Sequence, residues 1–160
     1  PTELPDDCLV VITSIVGGGV PEEIKERIRK YKKIYEKPIL VAVEELSKYL
    51  GEEPYAFLAA EIGAANTTLP MYVAAMRDAY IVDGDACGRA KPEVAISTTN
   101  ICGISTTPLA IVSSIGDVII LKSTVSDERV EDICRQMAIA AGGLCGVCRL
   151  PARGRDISKQ

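Results

Sequence analysis

The first half of the chain alternates between short apolar runs and longer segments whose apolar residues have helical spacing. The run CLVVITSIV (8–16) is rich in β-branched residues and predicts a strand that ends at the glycines 17–19. Pro21 and the two carboxylates after it are typical of a helix start. One face of this helix is predicted to carry Ile24, Ile28, Tyr31 and Tyr35, so we expect the helix to lie on a sheet.

The same alternation continues up to residue 85. Helices are predicted over 41–50 and 69–79, and strands over 55–61 and 80–85. Strands that alternate with helices are typical of parallel sheets, because a helix has to return the chain to the start of the next strand. The pattern therefore predicts the α/β class, with a three-layer α/β/α sandwich and a mainly parallel sheet.

The second half is less periodic. Two apolar runs, 108–114 and 117–123, flank Ile115-Gly116 and predict a hairpin. A helix is predicted over 127–143, followed by a strand in LCGVCRL (144–150). We expect residues 1–150 to form a single α/β domain and residues 151–160 to form a polar C-terminal tail.

Composition and charge limit the class of function. The chain has 160 residues, of which 48% are hydrophobic and 25% charged, without an apolar run near twenty residues, so we expect a globular protein and no membrane partner. A net charge of -4 and 4% aromatic residues provide neither attraction for phosphate backbones nor a stacking surface, so no nucleic acid is expected. The N-terminus lacks the pattern of a secretory signal, and a cytoplasmic location is predicted.

Any chemistry must proceed without histidine, because the chain contains none. That excludes a Ser-His-Asp triad, a Cys-His dyad and a histidine base within this chain. The six cysteines lie in apolar segments, which is typical of reduced, buried thiols. Cys145 and Cys148 form a C-x-x-C pair in a predicted strand, too far apart for a disulfide. We favour structural thiols there, and metal or redox use remains the alternative.

The stretch YIVDGDACGRAKPE (80–93) is the strongest candidate for a site. In an extended strand Asp83 and Asp85 project to the same side, about 6.6 Å apart along the backbone. Two such carboxylates repel each other unless a cation, a shared proton or Arg89 lies between them. We predict that both aspartates bind a divalent metal ion or activate water and that Arg89 balances their charge. The alternative is a charged turn without function.

A second polar stretch, EIGAANTT, follows a predicted strand at the position where open α/β sheets bind their ligands. Glu61 is predicted to join the catalytic group. The residues predicted to bind a small-molecule substrate are Asn66, Glu93, Thr98 and Thr99.

Four stretches together resemble a known family. They are EIGAANTTLP (61–70), IVDGDACGRAKPE (81–93), GISTTPLA (103–110) and GDVIILK (116–122). Their order is similar to that of the S-methyl-thiohydantoin desulfurase-like family, whose members accompany hydantoinase and oxoprolinase genes. The resemblance implies a three-layer α/β domain and a hydrolase that acts on a hydantoin- or thiohydantoin-like ring.

Members of that family continue into a second, β-rich domain. The resemblance therefore implies that this chain corresponds to the N-terminal α/β domain alone. Apolar surface exposed by a missing partner domain predicts a homo-oligomer or a complex with a partner subunit. The alternative to an enzyme is a non-catalytic or incomplete ligand-binding or assembly module.

Overall fold

The computed structural model describes residues 3–91 and 93–158. In chain order, its elements are β1 (Leu9–Gly17), α1 (Glu22–Ile28), α2 (Pro38–Leu50), β2 (Ala56–Ala59), α3 (Ala64–Arg77), β3 (Tyr80–Asp85), α4 (Thr98–Ile101), β4 (Leu109–Ser113), β5 (Val118–Leu121), α5 (Asp127–Ala140), β6 (Leu144–Arg153) and α6 (Gly154–Ile157). The strands form one sheet in the order β3-β2-β1-β6-β4-β5. Within these two ranges no helix combines the length and apolarity that crossing a bilayer requires.

The sheet is mixed. β1 runs parallel to β2, and β2 runs parallel to β3. β6 is antiparallel to both β1 and β4, and β4 forms an antiparallel hairpin with β5. The prediction of a mainly parallel sheet is therefore not confirmed. That prediction rested on the alternation of strands and helices, which ends at β3. The β4–β5 hairpin and β6, the strand after α5, add the antiparallel half of the sheet.

Helices contact both faces of this sheet. On one face α2 and α3 pack around Phe57, with Val43 and Val73 among the buried contacts. On the opposite face α5 packs its buried residues Val130 and Cys134 against β4 and β6. The rest of that second face belongs to a separate apolar cluster that includes Leu150. The α/β class is confirmed, whereas the complete three-layer sandwich is not, because α5 packs against only part of its face.

The first helix is shorter than its apolar spacing predicts. α1 ends at Ile28 and buries none of its residues. Beyond it, the backbone amides of Ile34 and Tyr35 donate to the Ser114 carbonyl at 2.8 and 3.0 Å. The chain therefore exchanges helical hydrogen bonds for contacts with the β4–β5 turn. Tyr31 is 60% exposed, so its predicted place on a buried helix face is wrong.

The segment predicted as a polar tail, 151–160, contains the end of β6 and the short helix α6. Ala152 is buried in β6, and the Gly154 amide donates to the Cys8 carbonyl at 3.0 Å. Arg153 forms two hydrogen bonds of 2.8 Å with the Glu52 carboxylate. Arg155 forms a further ion pair, with Asp7, so two charged side chains of this segment pair with charged groups elsewhere in the chain.

Candidate functional site

A small cleft opens where the parallel strands β1 and β2 end. Its volume is about 120 Å³. Carboxyl ends of parallel strands are where α/β sheets present their ligand sites. The residues that line the cleft come from the end of β1, the loop after β2, α3, the segment around residue 93, α5 and β6, and the polar ones among them are Ser14, Glu61, Asn66, Lys91, Glu93, Glu131, Arg135 and Arg149.

Arg149 forms the floor of the cleft. Its side chain is only 1% exposed, and its Nε and Nη1 atoms have no hydrogen-bond partner among the described residues. Burial lowers the pKa of the guanidinium to about 10. A bulge places this residue, because β6 has one more residue than β1 between the pairs Val10↔Ala152 and Ile12↔Arg149. The extra residue is accommodated at Leu150, whose φ of 57° lies in the left-handed region.

Lys91 is the second cation of the cleft. Its Nζ atom is buried and lacks a hydrogen-bond partner within the described chain. Burial, and then the positive charge of Arg149, lower the pKa of this amine to about 8. The two cations are therefore near enough to repel each other, and no protein carboxylate forms an ion pair with either of them in the part described.

Two carboxylates of the cleft are already engaged. Glu61 accepts hydrogen bonds of 2.5 Å from the Asn66 amide and from the Lys91 backbone N–H. Glu131 accepts from the Val94 backbone N–H at 2.8 Å and also pairs with Arg135. Both therefore hold the walls of the cleft together.

Glu93 differs from these carboxylates. It is exposed at the cleft and makes no hydrogen bond or ion pair with any described residue. Among the described residues, the cleft thus presents one carboxylate that has no hydrogen-bond or ion-pair partner and two cations that have no ion-pair partner. The structure brings together Glu61, Asn66 and Glu93, three of the residues predicted from the sequence.

The structure places Asp83 and Asp85 in different surroundings. Asp85 accepts hydrogen bonds from the backbone N–H groups of Ile62 at 2.8 Å and of Gly88 at 2.8 and 2.9 Å. The register of β3 shifts so that Asp85, and not Asp83, pairs with Ala59. Asp83 is exposed and lines a different cavity, of about 630 Å³.

Arg89 does not lie over the two aspartates. It is exposed, and no ion pair joins it to either of them within the described ranges. Nor do three or more His, Cys, Asp or Glu side chains converge anywhere in those ranges in a way that could bind a metal. Divalent metals of the calcium and magnesium type need several oxygen ligands, and the Asp85 oxygens already accept from backbone amides. These residues by themselves do not fit a metal centre.

The remaining predicted site residues lie outside the cleft. The backbone N–H and the hydroxyl of Thr98 both donate to the Ala86 carbonyl, at 2.8 and 3.1 Å. The Thr99 hydroxyl is buried and hydrogen-bonded to that of Ser97 at 2.6 Å. Both threonines stabilise the loop at the start of α4.

The thiols of the C-x-x-C pair are buried in different clusters of the core. Cys145 faces α5, whereas Cys148 packs with the α2 and α3 residues on the other face. Burial raises the pKa of both thiols, that of Cys145 to about 11. Protonated thiols on opposite faces of a sheet favour the structural role over metal or redox use.

Sequence reasoning missed Lys91 and Arg149 as site residues. Lys91 lies inside the stretch 80–93, but its position relative to the other charged residues of that stretch matches no known motif. Arg149 is the only charge in the apolar run LCGVCRL, and a charge at an inward-facing strand position is a usable signal. That signal requires the strand to be recognised as central in the sheet, which the local pattern does not reveal.

Comparison with known proteins identifies the family. A family model described as S-Me-THD-like, N-terminal domain, matches residues 1–123. The chain belongs to the S-Me-THD-like family. The resemblance inferred from the four sequence stretches is thereby confirmed, and so is the correspondence to the N-terminal domain.

A crystal structure with the same fold supports the architecture of this S-Me-THD-like domain. It is that of a protein from Chromobacterium violaceum, solved by a structural genomics consortium, with a TM-score of 0.72 and 20% sequence identity. The similarity covers 95% of this chain and 41% of that protein, so this chain spans less than half of its length. No curated protein matches the chain.

The cleft extends beyond the part of the chain that the S-Me-THD-like family model matches. Glu61, Lys91 and Glu93 lie within residues 1–123, whereas Glu131 and Arg149 follow them. The cleft therefore combines residues from the matched region with residues from α5 and β6.

Proposed function

We propose that this chain is the N-terminal α/β part of a hydrolase that acts on a hydantoin- or thiohydantoin-like ring, and that the ring binds in the cleft. One observation carries the proposal: the cleft presents two cationic donors, Lys91 and Arg149, and one carboxylate, Glu93, and none of them has an ion-pair partner among the residues that the structure describes. A cyclic ureide carries carbonyl acceptors and N–H donors on the same small ring. It therefore complements both kinds of group, and family membership favours the same substrate class.

The volume of the cleft suits one small ring. A cavity of about 150 Å³ accommodates benzene. The cleft, at about 120 Å³ and open to solvent, has room for a five-membered ring whose substituents extend outward. A drug-sized or polymeric substrate needs several hundred Å³ or more.

The free groups of the cleft have the chemistry that ring hydrolysis requires. A water oxygen forms a bond to a ring carbonyl carbon while Glu93 takes a proton from that water. The negative charge that develops on the carbonyl oxygen is stabilised by the cations of Lys91 and Arg149. The ring C–N bond then breaks, and the leaving nitrogen receives the proton that Glu93 took from the water. Glu61 is a positioning residue, since it holds the Asn66 side chain and the Lys91 backbone.

Asp83, Asp85 and Arg89 remain a second candidate catalytic group, at the end of β3. Their role with a divalent metal ion stays a prediction from the sequence. The surroundings of Asp85 favour a structural function instead, because its carboxylate accepts three backbone N–H groups of the adjoining loops.

The test compares variants at these two places. The purified chain is incubated with hydantoin and with 2-thiohydantoin, and ring opening is followed by chromatography of the linear product. Glu93→Gln should lower turnover by about 100-fold or more, since a positioned base contributes about that much. Asp83→Asn, the matched control, should retain turnover. If Asp83→Asn loses turnover while Glu93→Gln retains it, the catalytic site lies at the end of β3 and not in the cleft. Wild-type protein without turnover would contradict the catalytic proposal.

A non-catalytic or incomplete module is the second candidate function. The chain spans 41% of the Chromobacterium violaceum protein, which favours a part whose activity needs further protein. Exposed apolar residues beside the cleft, such as Ile15 at 47% and Leu144 at 65%, also favour contact with a partner or a second copy. An oligomer that binds hydantoin without opening it would support this function over the first.

A further inference from the structure

We propose that Arg149, Lys91 and Ser14 form an anion site at the floor of the cleft, which holds the carboxylate of a ring-opened ureido acid. The anion site deepens the proposed ring hydrolysis and rests on it for the identity of the ligand. The geometry that points to an anion is independent of any reaction.

The first observation is a set of buried donors without partners. Arg149 Nε and Nη1, Lys91 Nζ and the Ser14 hydroxyl are all buried, and none has a hydrogen-bond partner in the part of the chain described. All three residues line the same cleft. Burying a donor without a partner is costly, so donors that converge on one cavity indicate a ligand that supplies several acceptor atoms.

The second observation is the charge around these donors. Glu61 and Glu131 are the buried carboxylates of the cleft, and both accept from other groups. Within the described residues, Arg149 and Lys91 therefore repel each other, and no carboxylate forms a hydrogen bond with either of them. A carboxylate accepts several hydrogen bonds and neutralises charge at once, which a water molecule or a neutral carbonyl does not.

Hydrolysis of a cyclic amide produces such a group. The ring C–N bond breaks, the water oxygen becomes the second oxygen of a carboxylate, the leaving nitrogen gains one hydrogen, and one proton goes to solvent. The product has a negative charge that the neutral ring lacks, and in the proposed anion site this charge is neutralised by Arg149 and Lys91. The anion site therefore binds the product more tightly than the substrate, and a reaction that consumes ureido acids, such as hydrolysis of the carbamoyl group, must follow.

The experiment measures charge preference by calorimetric titration at pH 7. N-carbamoylglycine is the ring-opened acid of hydantoin, and N-carbamoylglycinamide is its neutral counterpart of nearly the same shape. Wild-type protein should bind the acid at least tenfold more tightly than the amide. Lys91→Met should remove most of that preference, whereas Lys122→Met, which deletes an exposed cation outside the cleft, should retain it.

Further variants exclude loss of folding as the cause. Lys91→Arg keeps the charge and should keep the preference for the acid, and circular dichroism shows whether each variant is folded. Equal affinity for acid and amide, or no binding of the acid, would overturn the anion site. Preference for the acid without hydantoin turnover would support the anion site and contradict the proposed hydrolase activity. Hydantoin turnover without that preference would support the hydrolase activity and contradict the anion site.

Discussion

The buried ammonium group of Lys91 lowers the stability of the folded protein. The fold lowers the pKa of this amine to about 8 from its ordinary value of 10.5, mainly through burial. The unfolded chain therefore binds the proton more tightly than the folded chain does. Because solvent screens part of this charge, the difference destabilises the fold at pH 7 by ~1 to 3 kcal/mol, and the penalty fades as the pH rises from about 8 to about 10.5.

Removing this charge should stabilise the protein. We expect Lys91→Met to raise the free energy of unfolding by ~1 to 3 kcal/mol at pH 7, because an apolar side chain of similar length avoids the burial of charge. The gain should shrink between pH 8 and pH 10.5, where the wild-type amine also loses its proton. Urea unfolding of both proteins at several pH values measures this. The exposed Arg89→Met serves as control, and a gain that does not vary with pH would refute the explanation.

At the residue scale, sequence reasoning located the right region but not the right groups. The cleft lies where β1 and β2 end, and it is lined by three of the predicted residues, Glu61, Asn66 and Glu93. The prediction that Asp83 and Asp85 act together assumed that side chains alternate regularly between the two sides of β3. The register of β3 shifts before Asp85, so that assumption does not hold. Arg149 reaches the cleft only because β6 pairs with β1 and contains a bulge, and neither feature has a local signal.

Among the secondary-structure elements, the contact between α2 and β6 depends on one glycine. A Cβ atom at Gly146 would lie 2.6 Å from the Ile39 nitrogen and 2.9 Å from the Pro38 carbonyl carbon. These are backbone atoms at the start of α2, so a rotamer change cannot relieve the overlap. The helix can approach the sheet this closely only because residue 146 lacks a side chain.

Gly146→Ala should therefore destabilise the domain. We expect a loss of about 3 kcal/mol, near the upper end of what overpacking usually costs. Gly84→Ala is the matched control, because a Cβ atom there would meet nothing within 4 Å and its φ is not in the left-handed region. Thermal unfolding of both variants measures the difference. Equal melting temperatures for the two would show that α2 can move away from β6 at little cost.

The elements themselves were largely predictable, and their order in the sheet was not. Alternation of apolar runs identified the strands of the first half and the hairpin, and helical spacing identified α2, α3 and α5. The limits of α1 were missed because apolar spacing continues to Tyr35 although the helix ends at Ile28. The position of β6 between β1 and β4 depends on pairing between distant parts of the chain, which periodicity does not encode.

For the whole molecule, a cavity beside the cleft favours self-association. It has a volume of about 450 Å³ and is lined largely by apolar groups, including Ile15, Tyr72 and Leu144. Leu144 is 65% exposed although it begins a strand whose next residues are buried. Apolar side chains that border a cavity of this size are typical of surfaces that become covered.

We expect the purified chain to form a homo-oligomer through this surface. Leu144→Asp should shift the mass measured by light scattering toward that of the monomer, because a carboxylate cannot be buried there without a partner. Val125→Asp is the control, since Val125 is also apolar and is 94% exposed, but does not line this cavity. A monomeric wild-type protein, or equal effects of the two substitutions, would contradict this interface.

The position of β6 also determines when the molecule can fold during synthesis. It follows every other strand of this sheet in the sequence, yet it joins β1 to β4 and supplies Arg149. Until then the nascent chain contains two separate sheet fragments, a parallel one of β1, β2 and β3 and a hairpin of β4 and β5, with apolar edges uncovered. A stalled or prematurely released chain therefore exposes both edges, and chaperones that shield unpaired strands should bind it until translation passes residue 153.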